Sequence, residues 1–375
     1  MKVMTVFGTR PEGVKMAPVI KALEKRDGVE QVICITAQHR EMLDQVIDLF
    51  GIKPHYDLNI FKPGQTLTDI TTNALKGLED VIKKEKPDVL LVQGDTTTVF
   101  AGALAAFYQK VKIGHVEAGL RSGNLYSPYP EEANRKLTGV LADFHFAPTD
   151  KNRENLLKED YPDEKIFITG NTVIDALKYA VKDDYKFGDE RLNNIDFRNK
   201  RVILMTSHRR ENLGEPMENI FKAVRDAIQG FDDVHVVFPV HLNPKVREIA
   251  DRILGNNTKV SLTEPLDYGP FTNLMARVSL VVTDSGGLQE EAPALGKPVL
   301  VIREETERPE GVDAGTAKLV GTSYRGVYDN LLKLLDNKDE YNRMAKAVNP
   351  YGDGTASEKI VDLSLIHISE PTRPY

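Results

Sequence analysis

Short apolar runs alternate with amphipathic stretches of helix length along most of the chain. This alternation is typical of βαβ units, in which helices join successive parallel strands. In the first half of the chain the pattern predicts strands at 2–7, 31–36, 89–93, 113–117, 144–147 and 166–169, and helices at 14–25, 40–50, 67–84 and 98–108. We therefore expect a mainly parallel sheet covered by helices.

A second series of the same kind begins after a polar, charge-rich stretch at 182–200. Its strands are predicted at 202–206, 234–239, 260–262, 280–283 and 299–302. A chain of 375 residues is also too long for one ordinary domain core. The sequence thus predicts an α/β protein with two domains, 1–170 and 171–354, a linker at 182–200, and a terminal helix from about 355 that returns to the first domain.

The end of the chain departs from this pattern. Residues 363–375 resemble the in-frame translation of a sequencing-library adapter. We therefore predict a non-native tail there, expect the terminal helix to be truncated after residue 362, and base no functional argument on the tail.

Charge and composition limit the classes of partner that the protein is expected to bind. The formal net charge is −7 and no basic run occurs, which argues against nucleic acid and anionic membranes as partners. No stretch approaches the ~20 apolar residues of a membrane span, and the first residues lack the apolar core of a signal peptide. The single cysteine, Cys34, excludes a disulfide within the chain. We expect a cytoplasmic protein that binds a small anionic ligand through a few arginines.

Polar and glycine-rich segments follow the predicted strands, where parallel sheets collect ligands at helix N-termini. These segments are 8–13, 94–97, 115–119, 206–212 and 283–291. In the last one, Ser285, Gly286 and Gly287 are small enough for backbone amides to approach a diphosphate, and Glu291 can accept hydrogen bonds from ribose hydroxyls. A tight turn before a helix explains the same residues without a ligand. The first segment lacks the second glycine of a dinucleotide fingerprint, which argues against a redox cofactor.

Many such segments occur together in one order. They are 7–12 (FGTRPE), 15–18, 38–40, 92–96, 115–121 (HVEAGLR), 130–135 (PEEANR), 207–212, 239–244, 285–291 and 306–311. In this arrangement the chain resembles the bacterial non-hydrolysing UDP-N-acetylglucosamine 2-epimerases. A departure is Tyr129, where many relatives are expected to carry tryptophan.

The resemblance implies two facing Rossmann-like domains of the GT-B type with the active site in the cleft between them. It also implies a homodimer, no metal and no other cofactor. The implied reaction eliminates UDP from UDP-N-acetylglucosamine (UDP-GlcNAc) to give 2-acetamidoglucal, and UDP then adds back to give UDP-N-acetylmannosamine (UDP-ManNAc). The product would supply N-acetylmannosamine units for cell-surface polysaccharide.

The resemblance also assigns residues to three groups. The catalytic group is Asp95, Glu117, Glu131 and His208; the UDP-binding group is Arg10, Lys15, Arg135, Phe271, Ser285, Gly286, Gly287, Glu291 and Arg308; and a regulatory UDP-GlcNAc site beside Glu131 is formed by Gln38, Gln65, Arg209 and His241. Carboxylates suit the reaction because the C2 proton becomes acidic as UDP departs and C1 gains oxocarbenium character. Cationic donors suit the departing diphosphate. Asp95 and Glu117 each follow a predicted strand, so their side chains are expected to converge.

Plainer alternatives stay open at this point. Asp95 can cap a helix, Glu117 and the arginines can form salt bridges, and Phe271 can belong to the core. Three other functions also fit the fold: a glycosyltransferase of the same architecture, a hydrolysing 2-epimerase, and a sugar-nucleotide-binding module without catalysis.

Overall fold

The computed structural model describes residues 1–369, and the chain forms two compact units. The first unit holds Met1–Tyr179 together with residues 351–369, and the second holds Ala180–Pro350. Among residues 1–369, no helix combines the length and the apolar character needed to cross a membrane.

The first unit contains a seven-stranded sheet whose neighbouring strands are all parallel. Its strands are β1 (Lys2–Phe7), β2 (Glu30–Ile35), β3 (Tyr56–Asp57), β4 (Val89–Gln93), β5 (Lys112–Val116), β6 (Phe144–Ala147) and β7 (Ile166–Ile168). Its helices before the second unit are α1 (Arg10–Glu24), α2 (Glu41–Phe50), α3 (Leu67–Glu85), α4 (Thr97–Tyr108), α5 (Glu131–Leu141), α6 (Asp150–Leu157) and α7 (Thr172–Ala180). The strands lie in the order β3-β2-β1-β4-β5-β6-β7, so β1, β4 and β5 form the middle of the sheet.

Capping residues set where several of these helices begin. Before α3, the Thr66 hydroxyl accepts a hydrogen bond from the Asp69 amide at 3.1 Å, and the Asp69 carboxylate accepts one from the Thr66 amide at 2.9 Å. Before α4, the Thr96 hydroxyl accepts from the Val99 amide at 3.3 Å. Pro11 lies in the first turn of α1, where its missing N–H would have no partner in the helix. The N-termini of α1 and α4 thus follow directly on the carboxyl ends of β1 and β4.

The core of the first unit lies between the sheet and its helices. Apolar side chains of β1 and β4 pack against α3 and α4 and are shielded from solvent. Burial of this kind contributes roughly 25 cal/mol per Å² of apolar surface, so it is the main force that holds the strand ends in place.

The second unit contains a six-stranded sheet, again entirely parallel. Its strands are β8 (Arg201–Thr206), β9 (Val234–Pro239), β10 (Val260–Thr263), β11 (Leu280–Thr283), β12 (Val299–Val301) and β13 (Ala317–Leu319). Its helices are α8 (Glu190–Asn193), α9 (Glu215–Ala227), α10 (Pro244–Leu254), α11 (Tyr268–Arg277), α12 (Leu288–Ala294), α13 (Pro309–Asp313), α14 (Tyr324–Asp336) and α15 (Lys338–Ala345). The strand order is β10-β9-β8-β11-β12-β13. In the core, Phe221 of α9 packs edge-on against Phe238 of β9, with ring centroids 5.3 Å apart.

The strand predictions are confirmed, with two omissions and with ends that differ by one residue in several strands. The omitted strands, β3 and β13, have only two and three residues, too few for a periodic pattern to appear. The strand predicted to end at residue 117 ends at Val116, because Glu117 adopts a left-handed backbone with φ of 64°.

The polar stretch at 182–200 belongs to the second unit, and its description as a linker was wrong. Its side chains Phe187 and Leu192 are buried, and the Lys182 amide donates to the Asn273 side chain at 2.8 Å. In the sequence these two apolar residues stand among many charged ones, so the stretch shows no apolar run.

The unit boundary lies after Tyr179, whereas the predicted domain boundary lies after residue 170. The last helix, α16 (Ala356–Ser369), explains the difference because it packs against α1 and is capped by α7. The Asp175 carboxylate accepts hydrogen bonds from the amides of Ala356 and Ser357 at 3.2 and 2.8 Å.

The same helix continues past residue 362, where truncation was expected, and Ser364 is buried in it. A non-native origin for 363–375 stays a prediction, and residues 370–375 of that segment lie outside the described residues.

Candidate active site

Two carboxylates of the first unit follow neighbouring strands of its sheet. Gln93, the last residue of β4, pairs with Val116, the last residue of β5. Asp95 and Glu117 therefore lie just beyond the same edge of the sheet. Glu117 has a left-handed φ of 64°, which is uncommon and unfavourable for a residue with a side chain. Strain of about 1–3 kcal/mol persists only where the surrounding structure enforces it, and it occurs most often at functional sites.

Glu117 is held by three polar side chains. The Lys15 ammonium donates to both carboxylate oxygens, at 2.7 and 2.6 Å. The side-chain amide of Asn171 donates at 3.3 Å, and that of Gln93 also donates to the carboxylate. Only 9% of the Glu117 side chain is exposed. Lys15, which was expected to bind UDP, thus contacts a catalytic candidate, and its contact with UDP stays a prediction.

Asp95 is held by an arginine. The Arg135 guanidinium donates to one Asp95 oxygen at 2.6 and 3.0 Å, and to the buried Glu132 at 3.0 Å. The Asn134 side chain donates to the Asp95 carbonyl at 2.9 Å. Arg135, also expected to bind UDP, thus orients a carboxylate here. The cap of α4 is Thr96, so Asp95 is not needed for that role.

Two further titratable residues support these loops, and sequence reasoning assigned neither a role. His115 of β5 is buried, and its Nε2 lies 2.7 Å from the Gly94 carbonyl, which requires Nε2 to carry the proton. Burial lowers the pKa of His115 to about 4. Glu12 of α1 is also buried, and burial raises its pKa to about 7. Both lie in motifs that were noticed, but their burial was not evident from the pattern.

Glu131 and Arg10 present polar groups that the described part of the chain leaves without partners. Glu131 is the first residue of α5, and one of its carboxylate oxygens is buried with no hydrogen-bond partner among residues 1–369. Arg10 is the first residue of α1, and within the same residues no acidic side chain pairs with it. A free guanidinium at the start of a helix is suited to a phosphate group.

The second unit repeats this arrangement at the ends of β8 and β11. Thr206 pairs with Thr283 in the sheet, so His208 and Asp284 lie close together. The Asp284 carboxylate is fully buried, and His208 Nδ1 lies 2.9 Å from it. The His208 ring also stacks on His241, with centroids 5.9 Å apart. Asp284 is a further residue that sequence reasoning missed.

The turn after Asp284 contains the predicted diphosphate-binding residues. Ser285, Gly286 and Gly287 lead into α12, and Gly287 is its N-cap. A Cβ at Gly286 would meet the Glu307 carboxylate, so this flexible side chain would have to move to admit a larger residue. Glu291 accepts a hydrogen bond from the Tyr268 hydroxyl at 3.3 Å.

The other two predicted UDP contacts of the second unit differ from one another. Phe271, in α11, is partly exposed and therefore accessible to a ring ligand. Arg308 pairs with the buried Glu290, so its guanidinium is already engaged in an ion pair.

The four residues of the predicted regulatory site fall in two places. In the first unit, the Gln38 side chain accepts from the Thr98 hydroxyl at 2.9 Å, and Gln65 donates to the Gln38 carbonyl at 3.3 Å. In the second unit, Arg209 follows His208, and its amide donates to Asp284 at 2.9 Å. His241 stacks on His208 as described, so within each unit the predicted residues are neighbours.

The sequence profile described as UDP-N-acetylglucosamine 2-epimerase matches residues 21–364 of this chain. The chain belongs to this family. The 2-epimerase of Bacillus subtilis is 56% identical over 367 residues, covering 98% of this chain and 96% of the relative. The crystal structure of a protein from Listeria monocytogenes, described as a UDP-N-acetylglucosamine 2-epimerase, is similar to this chain with a TM-score of 0.94 at 53% identity. The match covers 100% of this chain and 98% of that one. The Neisseria meningitidis 2-epimerase bound to UDP-GlcNAc has a TM-score of 0.85 at 51% identity, covering 98% of this chain and 100% of that one.

Membership of the 2-epimerase family confirms the resemblance and the α/β fold with two parallel sheets. It also favours an epimerase over the glycosyltransferase and the silent binding module, which share only the architecture. Within residues 1–369, no three or more His, Cys, Asp or Glu side chains are grouped so as to hold a metal ion.

Proposed function

We propose that this chain catalyses the reversible C2 epimerisation of UDP-GlcNAc to UDP-ManNAc. In the forward direction a carboxylate removes the C2 proton and the bond between C1 and the UDP oxygen breaks, which gives 2-acetamidoglucal and UDP. Protonation of C2 from the opposite face and addition of the same oxygen to C1 complete the reaction. The family assignment supports the substrate, since a relative at 51% identity was solved with UDP-GlcNAc bound.

The observation that carries the chemistry is the carboxylate pair of the first unit. Glu117 is kept on a strained backbone beside Lys15, and Asp95 follows the neighbouring strand beside Arg135. Each carboxylate is paired with a cation that fixes its orientation, and a general base must be held in place in this way. We assign removal and return of the proton to this pair jointly, with the buried oxygen of Glu131 as a further contact for the sugar.

The remaining residues of the proposal stabilise the departing diphosphate. Arg10 is the free guanidinium of the first unit, and the Ser285–Gly287 turn offers backbone amides in the second. His208 transfers a proton to the β-phosphate oxygen as the C1–O bond breaks and takes it back on re-addition.

Incubation of the enzyme with UDP-GlcNAc in D₂O, without any acceptor, tests this function. We expect deuterium at C2 of both sugar nucleotides, read by proton NMR, and UDP-ManNAc as a product. Accumulation of free N-acetylmannosamine and UDP would instead indicate a hydrolysing enzyme. Unchanged UDP-GlcNAc with no deuterium, from a folded protein that binds UDP, would refute the proposal.

Three wider parts of the proposal follow from the family resemblance. A second UDP-GlcNAc regulates the enzyme through Gln38, Gln65, Arg209 and His241. The enzyme acts in the cytoplasm, and its product supplies N-acetylmannosamine units for cell-surface polysaccharide. Two measurements test the regulation. A required activator makes the initial rate depend sigmoidally on UDP-GlcNAc concentration, and it leaves UDP-ManNAc alone without a reverse reaction.

We also propose a homodimer that forms through the first unit. Helices α4 and α5 pack together, and both present apolar side chains to solvent: Phe107 and Tyr108 on α4, and Leu137 and Val140 on α5. Val140 is 74% exposed. Exposed apolar groups of this kind are typical of surfaces that bind another protein. Sedimentation of the purified chain tests this state.

A further inference from the structure

Asp284 contacts both the ring and the backbone of His208, and the proposed function has not yet used these contacts. The two residues follow the paired strands β11 and β8, and the Thr206 and Thr283 hydroxyls at the strand ends lie 2.6 Å apart. Asp284 Oδ1 lies 2.9 Å from His208 Nδ1. Asp284 has no solvent exposure, whereas the His208 side chain is 39% exposed. The pair therefore joins a buried carboxylate to an imidazole that a ligand can reach.

The second oxygen of Asp284 fixes the loop that carries His208. Oδ2 accepts hydrogen bonds from the backbone amides of His208 and Arg209 at 2.8 and 2.9 Å. It also lies 3.3 Å from the Ser207 hydroxyl and 3.3 Å from the Asn212 side-chain nitrogen. Backbone and ring of His208 are thus held by the same carboxylate, which leaves the imidazole little freedom to rotate.

These contacts keep Asp284 ionised. Burial alone would raise the pKa of the Asp284 carboxyl, but hydrogen bonds from His208 and the amides of His208 and Arg209 bring that pKa below its usual value. An ionised carboxylate can only accept hydrogen bonds, so the ring nitrogen that faces it must carry a proton. Nε2 is then the nitrogen that faces a ligand: it donates a proton from the imidazolium and accepts one in the neutral ring.

We propose that Asp284 is a positioning residue that keeps a proton on Nδ1 of His208. The imidazolium then gives its Nε2 proton to the leaving β-phosphate and is left as the neutral Nδ1–H tautomer. This inference rests on the proposed function, in which His208 gives a proton to UDP. Asp284 itself does not touch the substrate, and its effect passes through the imidazole. An aspartate that orients a catalytic histidine in this way is a recurring device in enzymes.

The variant Asp284→Asn separates orientation from folding. The asparagine carbonyl can still accept from the two backbone amides, while its amide would donate to His208 Nδ1 and force the neutral ring into the Nε2–H tautomer. We expect kcat to fall about 100-fold or more, with KM changed less than about threefold. Asp233→Asn is the matched control, since Asp233 pairs with Arg201 at the amino-terminal ends of β8 and β9. It should leave kcat and KM nearly unchanged.

Nitrogen-15 NMR of the histidine rings, recorded at a pH high enough for the imidazole to be neutral, reports the tautomer directly and needs no activity. His208→Gln assigns the signal and also serves in a double-mutant test. If Asp284 acts through His208, adding Asp284→Asn to His208→Gln should lower kcat by less than about a further twofold.

The outcomes separate this inference from the proposed function. An Nδ1–H tautomer in the parent that converts to Nε2–H in Asp284→Asn, with the loss in kcat, supports it. An Nε2–H tautomer in the parent overturns it, even if Asp284→Asn fails to fold. A tautomer change without loss of kcat also overturns it, because His208 then takes no part in the chemistry. A parent without epimerase activity refutes the proposed function, while the NMR result still tests the Asp284–His208 geometry.

Discussion

Glu12 gives a prediction that connects burial to pH-dependent stability. Its carboxylate accepts hydrogen bonds from the Thr9 hydroxyl at 2.6 Å, the Thr96 hydroxyl at 3.0 Å and the Gly8 amide at 3.3 Å. It therefore ties the loop after β1 to the N-cap of α4, beside Asp95. Burial nevertheless outweighs these bonds and raises its pKa from 4.5 to about 7.

The sign of the effect follows from proton linkage. A carboxyl whose pKa is higher in the folded than in the unfolded state stabilises the fold below the unfolded pKa, and this contribution is lost as the pH rises through about 7. Between pH 5.5 and 8 the two pKa values predict a loss of about 2 kcal/mol in the free energy of unfolding of the first unit. Glu12→Gln cannot titrate and should lack this loss, whatever its stability at a single pH.

Cys34 provides the assay, because it is the only cysteine of the chain and is buried in β2, beside Val6 of β1. In mild urea, the rate at which a pyridyl disulfide labels Cys34 reports unfolding of the first unit. The ratio of the Glu12→Gln rate to the parent rate cancels the intrinsic reactivity of the thiol. We expect this ratio to be about 30-fold larger at pH 5.5 than at pH 8.

The control is Glu24→Gln, the same chemical change at the other end of α1, where the side chain is 44% exposed. It should change the ratio little, because solvent screens an exposed carboxylate. A ratio for Glu12→Gln that changes less than about threefold over this pH range would refute the reasoning.

Three further predictions concern catalysis, backbone conformation and assembly. Glu117→Gln should lower the rate of C2 deuteration of UDP-GlcNAc at least about 10³-fold. Its affinity for UDP, measured by calorimetry, should stay within about threefold of the parent. A deuteration rate comparable to that of the parent would exclude Glu117 as acid or base. Gly119→Ala should lower the melting temperature more than Gly123→Ala. Both glycines have positive φ, but only at Gly119 would the added methyl meet a backbone carbonyl, that of Asn152. Equal losses in melting temperature would contradict this prediction. Val140→Glu should shift the protein towards monomer in sedimentation. Val348→Glu, at an 84% exposed site of the second unit, should not. A dimer that is unaffected by Val140→Glu must use another surface.

The sequence predicted which loops follow neighbouring strand ends, and so which loops form the proposed site, because parallel strands impose a simple rule. The strands end at Gln93, Val116, Thr206 and Thr283, and polar residues follow each of them. Strand order decides which loops are neighbours, and the order placed β4 beside β5 and β8 beside β11.

The sequence did not predict how the charges pair. Lys15 and Glu117 are 102 positions apart, and Asp95 and Arg135 are 40 apart, so only the folded chain brings them together. Lys15, Arg135 and Arg308 were all expected to bind UDP, yet each already pairs with a carboxylate. Residue type alone cannot separate a cation that meets a ligand from one that orients a catalytic group.

Burial was the other property that sequence pattern left undetermined. Glu12, His115 and Asp284 stand in polar motifs, yet each is almost fully buried because α1, β5 and β11 lie in well-packed parts of their units. The periodic pattern of polar and apolar residues indicates which face of a helix or strand is buried. It does not indicate how deeply the residues of a loop are buried.

Cleavage of the bond between C1 and the UDP oxygen is the central claim, and positional isotope exchange tests it most directly. UDP-GlcNAc would carry ¹⁸O in the oxygen that joins C1 to the β-phosphate, and the reaction would run in D₂O. We predict that the label moves into the other β-phosphate oxygens together with the appearance of deuterium at C2, because free UDP can rotate its phosphate before it adds back. Deuterium at C2 with the ¹⁸O still in its original position would contradict the elimination mechanism.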